Sequence, residues 1–244
     1  NKASGFELQA LPHSIGWWNA LCVADLDADG DLDFVGGNLG LNNPYHSNPE
    51  KPLSLQIADF DGNNRADAIM TFFLKEREVP VHFRDDLRTW LLPLRKQYPD
   101  YKSYAEADWE DVFPNHKAKT TSIETFASAW VENTESGFLL HELPIQAQFA
   151  PIQAIATSDA NQDGNLDLIL AGNDFATETN TGRYDSLNGL LLVKTEAGYQ
   201  ACEITESGLY LPGDQKSLII LNYAKGGLLM VSGENDGKIS AYQF

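Results

Sequence analysis

Residues 25–33, Asp-Leu-Asp-Ala-Asp-Gly-Asp-Leu-Asp, decide the fold expected of this 244-residue chain. Carboxylates occupy the first, third, fifth, seventh and ninth positions, and glycine occupies the sixth. So many negative charges within one short stretch repel one another unless a cation neutralises them. Calcium takes six to eight oxygens, and side chains at positions 1, 3, 5 and 9 with the carbonyl at position 7 can surround it. Glycine permits the sharp turn needed. The stretch therefore predicts a calcium-binding loop.

The same pattern recurs twice along the chain. Residues 59–67 (DFDGNNRAD) and 159–167 (DANQDGNLD) keep oxygen-bearing side chains at positions 1, 3, 5 and 9. Asn64 replaces glycine at the sixth position of the second copy, and asparagine tolerates a left-handed backbone better than most residues. One such stretch is also compatible with a solvated acidic turn. Three copies with the same ninth aspartate favour metal binding.

The loops do not fit an EF-hand. That motif needs a bidentate glutamate at position 12 and a helix leaving the loop, whereas position 12 is Gly36, Met70 or Leu170. A short apolar run follows each loop, and such runs ended by glycine or asparagine predict buried strands. Each loop is therefore expected to join two strands.

The composition limits the partners and the compartment. The net charge of −18 argues against nucleic acid or an anionic membrane as a partner, and no apolar run is long enough to insert into a membrane. Cys22 and Cys202 are expected to be free thiols, with a disulfide left open. Calcium loops suit the millimolar calcium outside cells, which favours an extracellular or cell-surface location. The first residue, Asn1, suggests a mature or excised part of a longer polypeptide.

A second repeated pattern places the loops within a larger unit. Residues 1–12 (NKASGFELQALP) predict a turn followed by an edge strand, and residues 133–144 (NTESGFLLHELP) repeat them. A weaker copy begins at Ala197. An apolar strand and an acidic loop follow each clear copy, which is typical of a repeat architecture. The gap between the second and third loops is longer and predicts a helical insertion over residues 84–113, with a capping box at Ser103.

These motifs resemble the FG-GAP/VCBS repeat family, whose calcium-loop units build integrin-type β-propellers. The resemblance covers about residues 1–75 and 120–244. Residues 16–45 and 84–113 are also similar to the C-terminal propeller region of long secreted bacterial VCBS-repeat proteins. The resemblance implies an all-β fold of β-propeller blades, about four of them visible, with the small helical insertion. Residues 1–244 would then be a single propeller domain or a fragment of a larger ring.

The resemblance also implies up to three Ca²⁺ sites, with side-chain ligands at positions 1, 3, 5 and 9 and a carbonyl ligand at position 7. The residues concerned are Asp25, Asp27, Asp29, Asp31 and Asp33; Asp59, Asp61, Asn63, Arg65 and Asp67; and Asp159, Asn161, Asp163, Asn165 and Asp167. The missing glycine at position 6 makes the second loop the weakest match.

No catalytic pattern accompanies the loops: the sequence contains neither an HExxH nor a GxSxG motif. The leading hypothesis is a non-catalytic module for extracellular recognition or adhesion that binds a glycan or protein ligand. Loops 38–49 and 173–188 should emerge on one face and carry that binding. Two alternatives stay open. One is an enzyme acting on polysaccharide, with Trp18 and loop acids lining a groove, and the other is a structural spacer of a larger surface protein.

Overall fold

The computed structural model describes residues 5, 8, 11–114, 117–224 and 226–243. Strands account for 39% of the chain and helices for 12%, and the strands form four antiparallel sheets. The prediction of a mainly β fold with a small helical part is confirmed. Most of the turn and edge strand expected over residues 1–12 lies outside the described residues. In the part that is described, no helix is long and apolar enough to cross a membrane.

The predicted strands after the three acidic loops are all present. The strands in chain order are β1 (Ala20–Ala24), β2 (Asp33–Gly37), β3 (Leu53–Ala58), β4 (Asp67–Leu74), β5 (Arg77–Pro80), β6 (Lys119–Ile123), β7 (Ala129–Thr134), β8 (Gly137–Glu142), β9 (Ile152–Ser158), β10 (Asp167–Gly172), β11 (Leu190–Thr195), β12 (Gly198–Cys202), β13 (Gln215–Asn222), β14 (Leu228–Glu234) and β15 (Ile239–Gln243). The helices are α1 (Arg84–Trp90), α2 (Leu94–Gln97), α3 (Tyr101–Glu106), α4 (Trp109–Val112) and α5 (Ile204–Ser207), and a 3-10 helix spans Ile145–Gln148.

The chain divides into two compact units. The insert unit comprises Asn1–Gly16 and Pro44–Thr125, and the main unit comprises Trp17–Asn43 and Phe126–Phe244. The main unit contains three sheets: sheet I in the order β1-β2-β7-β8, sheet II in the order β9-β10-β11-β12, and sheet III in the order β13-β14-β15. The insert unit contains one sheet, in the order β5-β4-β3-β6.

The core of the main unit lies between its sheets. Strand β9 packs against both β1 and β13, so sheet II lies between the other two. Successive side chains of a strand point to opposite faces. Leu168 and Leu170 therefore join the core shared with sheet I, and Ile169 and Ala171 join the core shared with sheet III. This double burial explains why β10 is an uninterrupted apolar run.

Two glycines allow close packing in the main unit. An added Cβ at Gly36 would lie 2.7 Å from a ring carbon of Trp18, and one at Gly172 would lie 1.9 Å from the carbonyl oxygen of Pro151. The glycines that end the apolar runs therefore provide room for a neighbour as well as stopping a strand. Cys22 and Cys202 are free, as predicted.

The insert unit has its own core between its sheet and its helices. Phe60 and Ile69 of the sheet side pack with Leu87, Trp109 and Phe113 of the helical part. The helices lie within the predicted insertion. The predicted capping box at Ser103 is wrong, because α3 starts about one turn earlier and Asp100 caps it. Asp100 accepts a hydrogen bond from the Ser103 N–H, and the capping box lies at α4, between Asp108 and Asp111.

The sheet that carries the second acidic loop lies in sequence between the second and third strands of sheet I. Strand β2 pairs with β7, with Phe34 opposite Val131, and the larger part of the insert unit, residues 44–125, lies between these two strands in sequence. The spacing of the loops suggested successive units followed by a helical insertion. Along the chain, the first two strands of sheet I are instead followed by the inserted sheet and helices, and the last two strands of sheet I come after them.

Candidate metal centre

The three acidic loops have one backbone conformation. Each loop joins two consecutive strands that pair antiparallel: β1 and β2, β3 and β4, and β9 and β10. Each has positive φ angles at its fourth and sixth positions, which are Ala28 and Gly30, Gly62 and Asn64, and Gln162 and Gly164. These two left-handed residues curl the chain so that the odd-numbered side chains turn toward its inside. Asn64 adopts φ 63°, so the second loop reaches the shared shape without glycine at position 6.

The ninth aspartate closes each loop in the same way. One carboxylate oxygen of Asp33, Asp67 and Asp167 accepts the main-chain N–H of the second loop residue at 2.9, 2.9 and 3.0 Å. Asp33 and Asp167 are almost completely buried. Their other oxygens accept N–H groups of the third strand, from Asn133 at 2.8 Å and Lys194 at 2.9 Å. The ninth carboxylate therefore ties its loop to the sheet.

The first-position aspartates bind the turn of the loop. Both oxygens of Asp59 are engaged: Oδ1 accepts the N–H groups of Gly62 and Asn63, and Oδ2 accepts that of Asn64 at 2.8 Å. These hydrogen bonds hold the pKa of Asp59 below its usual value, against the opposing effect of burial. Asp25 and Asp159 make the corresponding contact to the sixth residue of their loops, at 3.2 and 3.0 Å.

Two of the loops bring three carboxylates together. Oxygen atoms of Asp25, Asp27 and Asp29 lie within 4.8 Å of one another, and so do those of Asp59, Asp61 and Asp67. Asp33 is not part of the first group, whereas Asp67, the ninth residue of the second loop, is part of the second.

The third loop differs because amides replace two carboxylates. Asp163 accepts hydrogen bonds from the side chains of Asn161 and Asn165, each at 2.9 Å. Hydrogen bonds from the Asn165 N–H and from Asn161 hold the pKa of Asp163 below its usual value. Asp159 also lies in this loop and binds its turn. In the first two loops the predicted ligands include three clustered carboxylates. In the third loop, amide side chains lie beside Asp163 instead.

The first loop holds negative charge that no cationic side chain neutralises. Among the described residues, no lysine, arginine or histidine forms an ion pair with any of the loop aspartates. Oδ1 of Asp25 and Oδ1 of Asp31 are shielded from solvent and lack a hydrogen-bond partner. Burial, followed by repulsion from neighbouring carboxylates, raises the pKa of Asp31; burial is also the largest cause of the raised pKa of Asp27.

The chemistry of this oxygen set fits calcium. Hard, oxygen-only ligands suit Ca²⁺, whose coordination geometry is flexible, whereas Mg²⁺ demands a tighter octahedral shell and usually keeps several waters. Shielded, unpartnered carboxylate oxygens are costly without a counter-charge. A divalent ion would remove that cost. The carbonyl roles predicted for Asp31, Arg65 and Asn165 stay predictions.

A second feature of the main unit is a cavity of about 440 Å³ between two loops and the 3-10 helix. Leu41 and Asn42 come from the loop after β2, Ser186 comes from the loop after β10, and Ile145 and Phe149 come from the 3-10 segment. Ile145 is 59% exposed and Phe149 41% exposed. Leu41, Ile145 and Phe149 give the cavity an apolar lining, and Asn42, Gln148 and Ser186 add polar side chains.

The two loops of this cavity are predicted by the sequence, whereas Ile145 and Phe149 are not. Those residues follow the Leu-Pro that ends the second repeated pattern, in a stretch without strand or helix periodicity. Main-chain bonds fix the cavity wall: the N–H groups of Leu41 and Asn42 both donate to the carbonyl oxygen of Gln148, at 2.9 and 3.1 Å. Trp18, which the enzyme hypothesis placed in a groove, packs over Gly36.

Comparison of the chain with models of known protein families and with curated proteins found no match.

Proposed function

We propose that this chain is a non-catalytic, calcium-binding β-propeller module, or part of one, that recognises a glycan or protein ligand outside the cell. The observation that carries the proposal is the shared geometry of the three acidic loops. All three have the same two left-handed positions and the same ninth carboxylate, and the first loop carries unpartnered, shielded oxygens. This combination is expected of a metal loop and unnecessary in a solvated turn.

The calcium ions would have a structural role. Bound calcium supplies the positive charge that the loops lack. Asp25, Asp27 and Asp29 would hold it in the first loop, and the corresponding residues would hold it in the other two. The ninth carboxylate already joins loop and sheet, so it would transmit the metal's stabilisation to strands β7 and β11. An ion surrounded by protein oxygens has little open coordination for catalysis, which supports a structural role.

The arrangement of sheets in the main unit supports the propeller proposal. Three small antiparallel sheets follow one another, and their first strands β1, β9 and β13 lie side by side. The acidic loops of sheets I and II occupy the same place, between first and second strands. A propeller repeats such sheets around an axis.

The cavity beside Phe149 is the proposed recognition site. Ligand sites are typically concave and apolar, with a few polar groups for orientation, and a half-exposed ring offers a surface on which a sugar can stack. Asn42 and Ser186 lie at the border, where they can meet hydroxyl or amide groups. Loops on a rigid scaffold commonly carry binding.

The proposal is tested by a glycan array and a panel of extracellular-matrix proteins, probed with the calcium-loaded chain and with Phe149→Ala. We expect saturable binding that Phe149→Ala weakens at least several-fold while the melting temperature changes little. Leu92→Ala, at a leucine 61% exposed in the insert unit, is the matched control and should bind normally. Release of reducing ends from a bound glycan would favour the enzyme instead. Absence of any saturable binding would favour a spacer.

A further inference from the structure

Another cavity of the main unit, the Lys194 cavity, lies between the outer strands of sheets I and II and measures about 470 Å³. That volume lies within the range of roughly 300–1,000 Å³ that holds small ligands. Sheet I contributes residues of β7 and β8, and sheet II contributes the turn between β11 and β12 with its flanking residues. Six lining side chains carry the chemistry of the cavity: Trp130, His141, Glu142, Lys194, Glu196 and Tyr199. None of them lines the cavity beside Phe149, so the two cavities are separate sites.

The Lys194 ammonium has aromatic partners but no carboxylate partner. Its Nζ lies 4.4 Å from the ring centroid of Trp130 and 4.8 Å from that of Tyr199. Lys194 forms no ion pair with any described residue, although two carboxylates, Glu142 and Glu196, line the same cavity. A ring face attracts a cation but offers no lone pair to the three N–H donors of an ammonium. The group can therefore donate hydrogen bonds to an anion that enters the cavity.

The fold fixes the residues that carry this ammonium and its aromatic partner. The main-chain N–H of Lys194 donates to Asp167 at 2.9 Å. The Tyr199 hydroxyl donates to the carbonyl oxygen of Leu166 at 3.2 Å. Lys194 and Tyr199 also face each other across the β11–β12 pair. A ligand therefore meets groups that are already positioned, which reduces the entropic cost of binding.

The rest of the lining offers acceptors for hydroxyl groups. His141 stacks on Trp130, with ring centroids 4.4 Å apart, and its Nε2 lies 2.9 Å from a carboxylate oxygen of Glu132, so this imidazole is already engaged. Glu142 and Glu196 are exposed, and an ionised carboxylate only accepts hydrogen bonds. These two groups favour a ligand that has O–H donors. The Lys194 cavity therefore fits a ligand that carries one carboxylate beside several hydroxyl groups.

We propose that the Lys194 cavity binds a hexuronic acid residue of an acidic glycan. The sugar carboxylate accepts hydrogen bonds from the Lys194 ammonium, and the ring hydroxyls donate to Glu142 and Glu196. A neutral sugar lacks the charge that pairs with Lys194, and a simple carboxylate lacks the hydroxyl donors, so each should bind more weakly than the acidic sugar. Because the site is separate from the cavity beside Phe149, the inference stands whether or not a ligand binds there.

The test is a calorimetric titration of the calcium-loaded chain with three probes: galacturonate, its neutral methyl ester, and acetate. The salt concentration is about 0.15 M, at which charges more than about 8 Å from the ligand are largely screened. Galacturonate should bind saturably, and the ester and acetate should each bind at least several-fold more weakly. Equal affinity for the ester would show that the charge of Lys194 is not used, and equal affinity for acetate would show a simple anion site. Either result, or no binding of galacturonate, overturns the proposal.

Lys194→Met locates the site, because methionine keeps an apolar stem beside the two rings and removes the charge. A hydrogen bond to a charged group is lost, so the affinity for galacturonate should fall roughly 10- to 150-fold. The matched control is Lys238→Met, which removes the same charge from an exposed lysine of the main unit and should bind like the wild type. Galacturonate bound by a calcium ion of an acidic loop would still bind to Lys194→Met, and that result would refute the site. The comparison of galacturonate with its ester uses the wild-type chain alone, so it stays decisive if Lys194→Met folds poorly.

Discussion

Replacing Asp167 with alanine separates two proposed roles of the ninth loop carboxylate, which are hydrogen bonding within the fold and metal binding. Asp167 is completely buried. Its oxygens accept the N–H groups of Ala160 at 3.0 Å and of Lys194 at 2.9 Å. Both contacts exist without a metal, so part of the effect of the substitution should appear in EGTA. The matched control is Asp163→Ala, in the same loop, where the aspartate is exposed and its partners can bond to water.

The magnitude follows from the two main-chain donors that Asp167→Ala would leave without an acceptor. An unsatisfied buried donor costs about 1–3 kcal/mol, and both donors here are only partly buried. We therefore expect the free energy of unfolding in EGTA to fall by about 2–4 kcal/mol, within the lower part of that range for each donor. For a unit of this size the melting temperature should fall by roughly 4–16 °C. Asp163→Ala should change the free energy of unfolding in EGTA much less, because Asp163 is exposed and its partners can bond to water.

Calcium should change the difference in stability between Asp167→Ala and Asp163→Ala. A ligand that binds only the folded state at a hundredfold excess over Kd adds about 2.7 kcal/mol of stability. Both variants should lose most of the calcium response of the third loop, so Asp163→Ala becomes clearly destabilised only when calcium is present. Urea unfolding followed by tryptophan fluorescence, in EGTA and in millimolar calcium, measures both effects. Equal losses for the two variants in EGTA would show that the buried hydrogen bonds of Asp167 do not stabilise the fold as argued.

Two further predictions concern the insert unit and the close packing of the main unit. The Tyr101 hydroxyl, with two neighbouring arginines, holds the pKa of Asp85 below its usual value; this stabilisation is present above the unfolded pKa of about 4 and is lost as pH falls through the folded pKa. Asp85→Asn should therefore lower the melting temperature at pH 7, and the gap from wild type should narrow as the pH falls below about 4; a gap unchanged by pH would contradict this. Gly172→Ala should cost about 1–3 kcal/mol in urea unfolding because a Cβ would meet the Pro151 carbonyl, and wild-type stability would count against that contact.

The features of the fold that depend on short-range sequence patterns could be predicted from the sequence. The positions of the acidic loops, the strands after them and the helical insertion over 84–113 follow from spacing, apolar runs and breakers, and the helices of the insert unit lie over 84–112. The pairing of β2 with β7 could not be predicted, because a sheet partner separated by the whole insert unit leaves no local signal. The same holds for Ile145 and Phe149, which become neighbours of Leu41 only through tertiary folding.

The start of α3 shows a different limit of sequence reasoning. Ser103 has the spacing of a capping box, yet Asp100 also caps well, and a helix can begin at either. The aspartate wins because its carboxylate accepts the Ser103 N–H at 2.8 Å and adds a favourable charge at the N-terminus. The sequence spacing indicated only Ser103 as the start, and the tertiary position of Tyr101 beside Asp85 is consistent with the start at Asp100.

The central claim is that the three loops are structural calcium sites, and one measurement tests it most directly. The metal-free chain is titrated with Ca²⁺, and bound ions are counted by native mass spectrometry while the melting temperature is followed in parallel, with Mg²⁺ as the control cation. The chain should bind up to three calcium ions, and its melting temperature should rise by an amount that Mg²⁺ does not reproduce. No bound calcium at millimolar concentration, with an unchanged melting temperature, would contradict it.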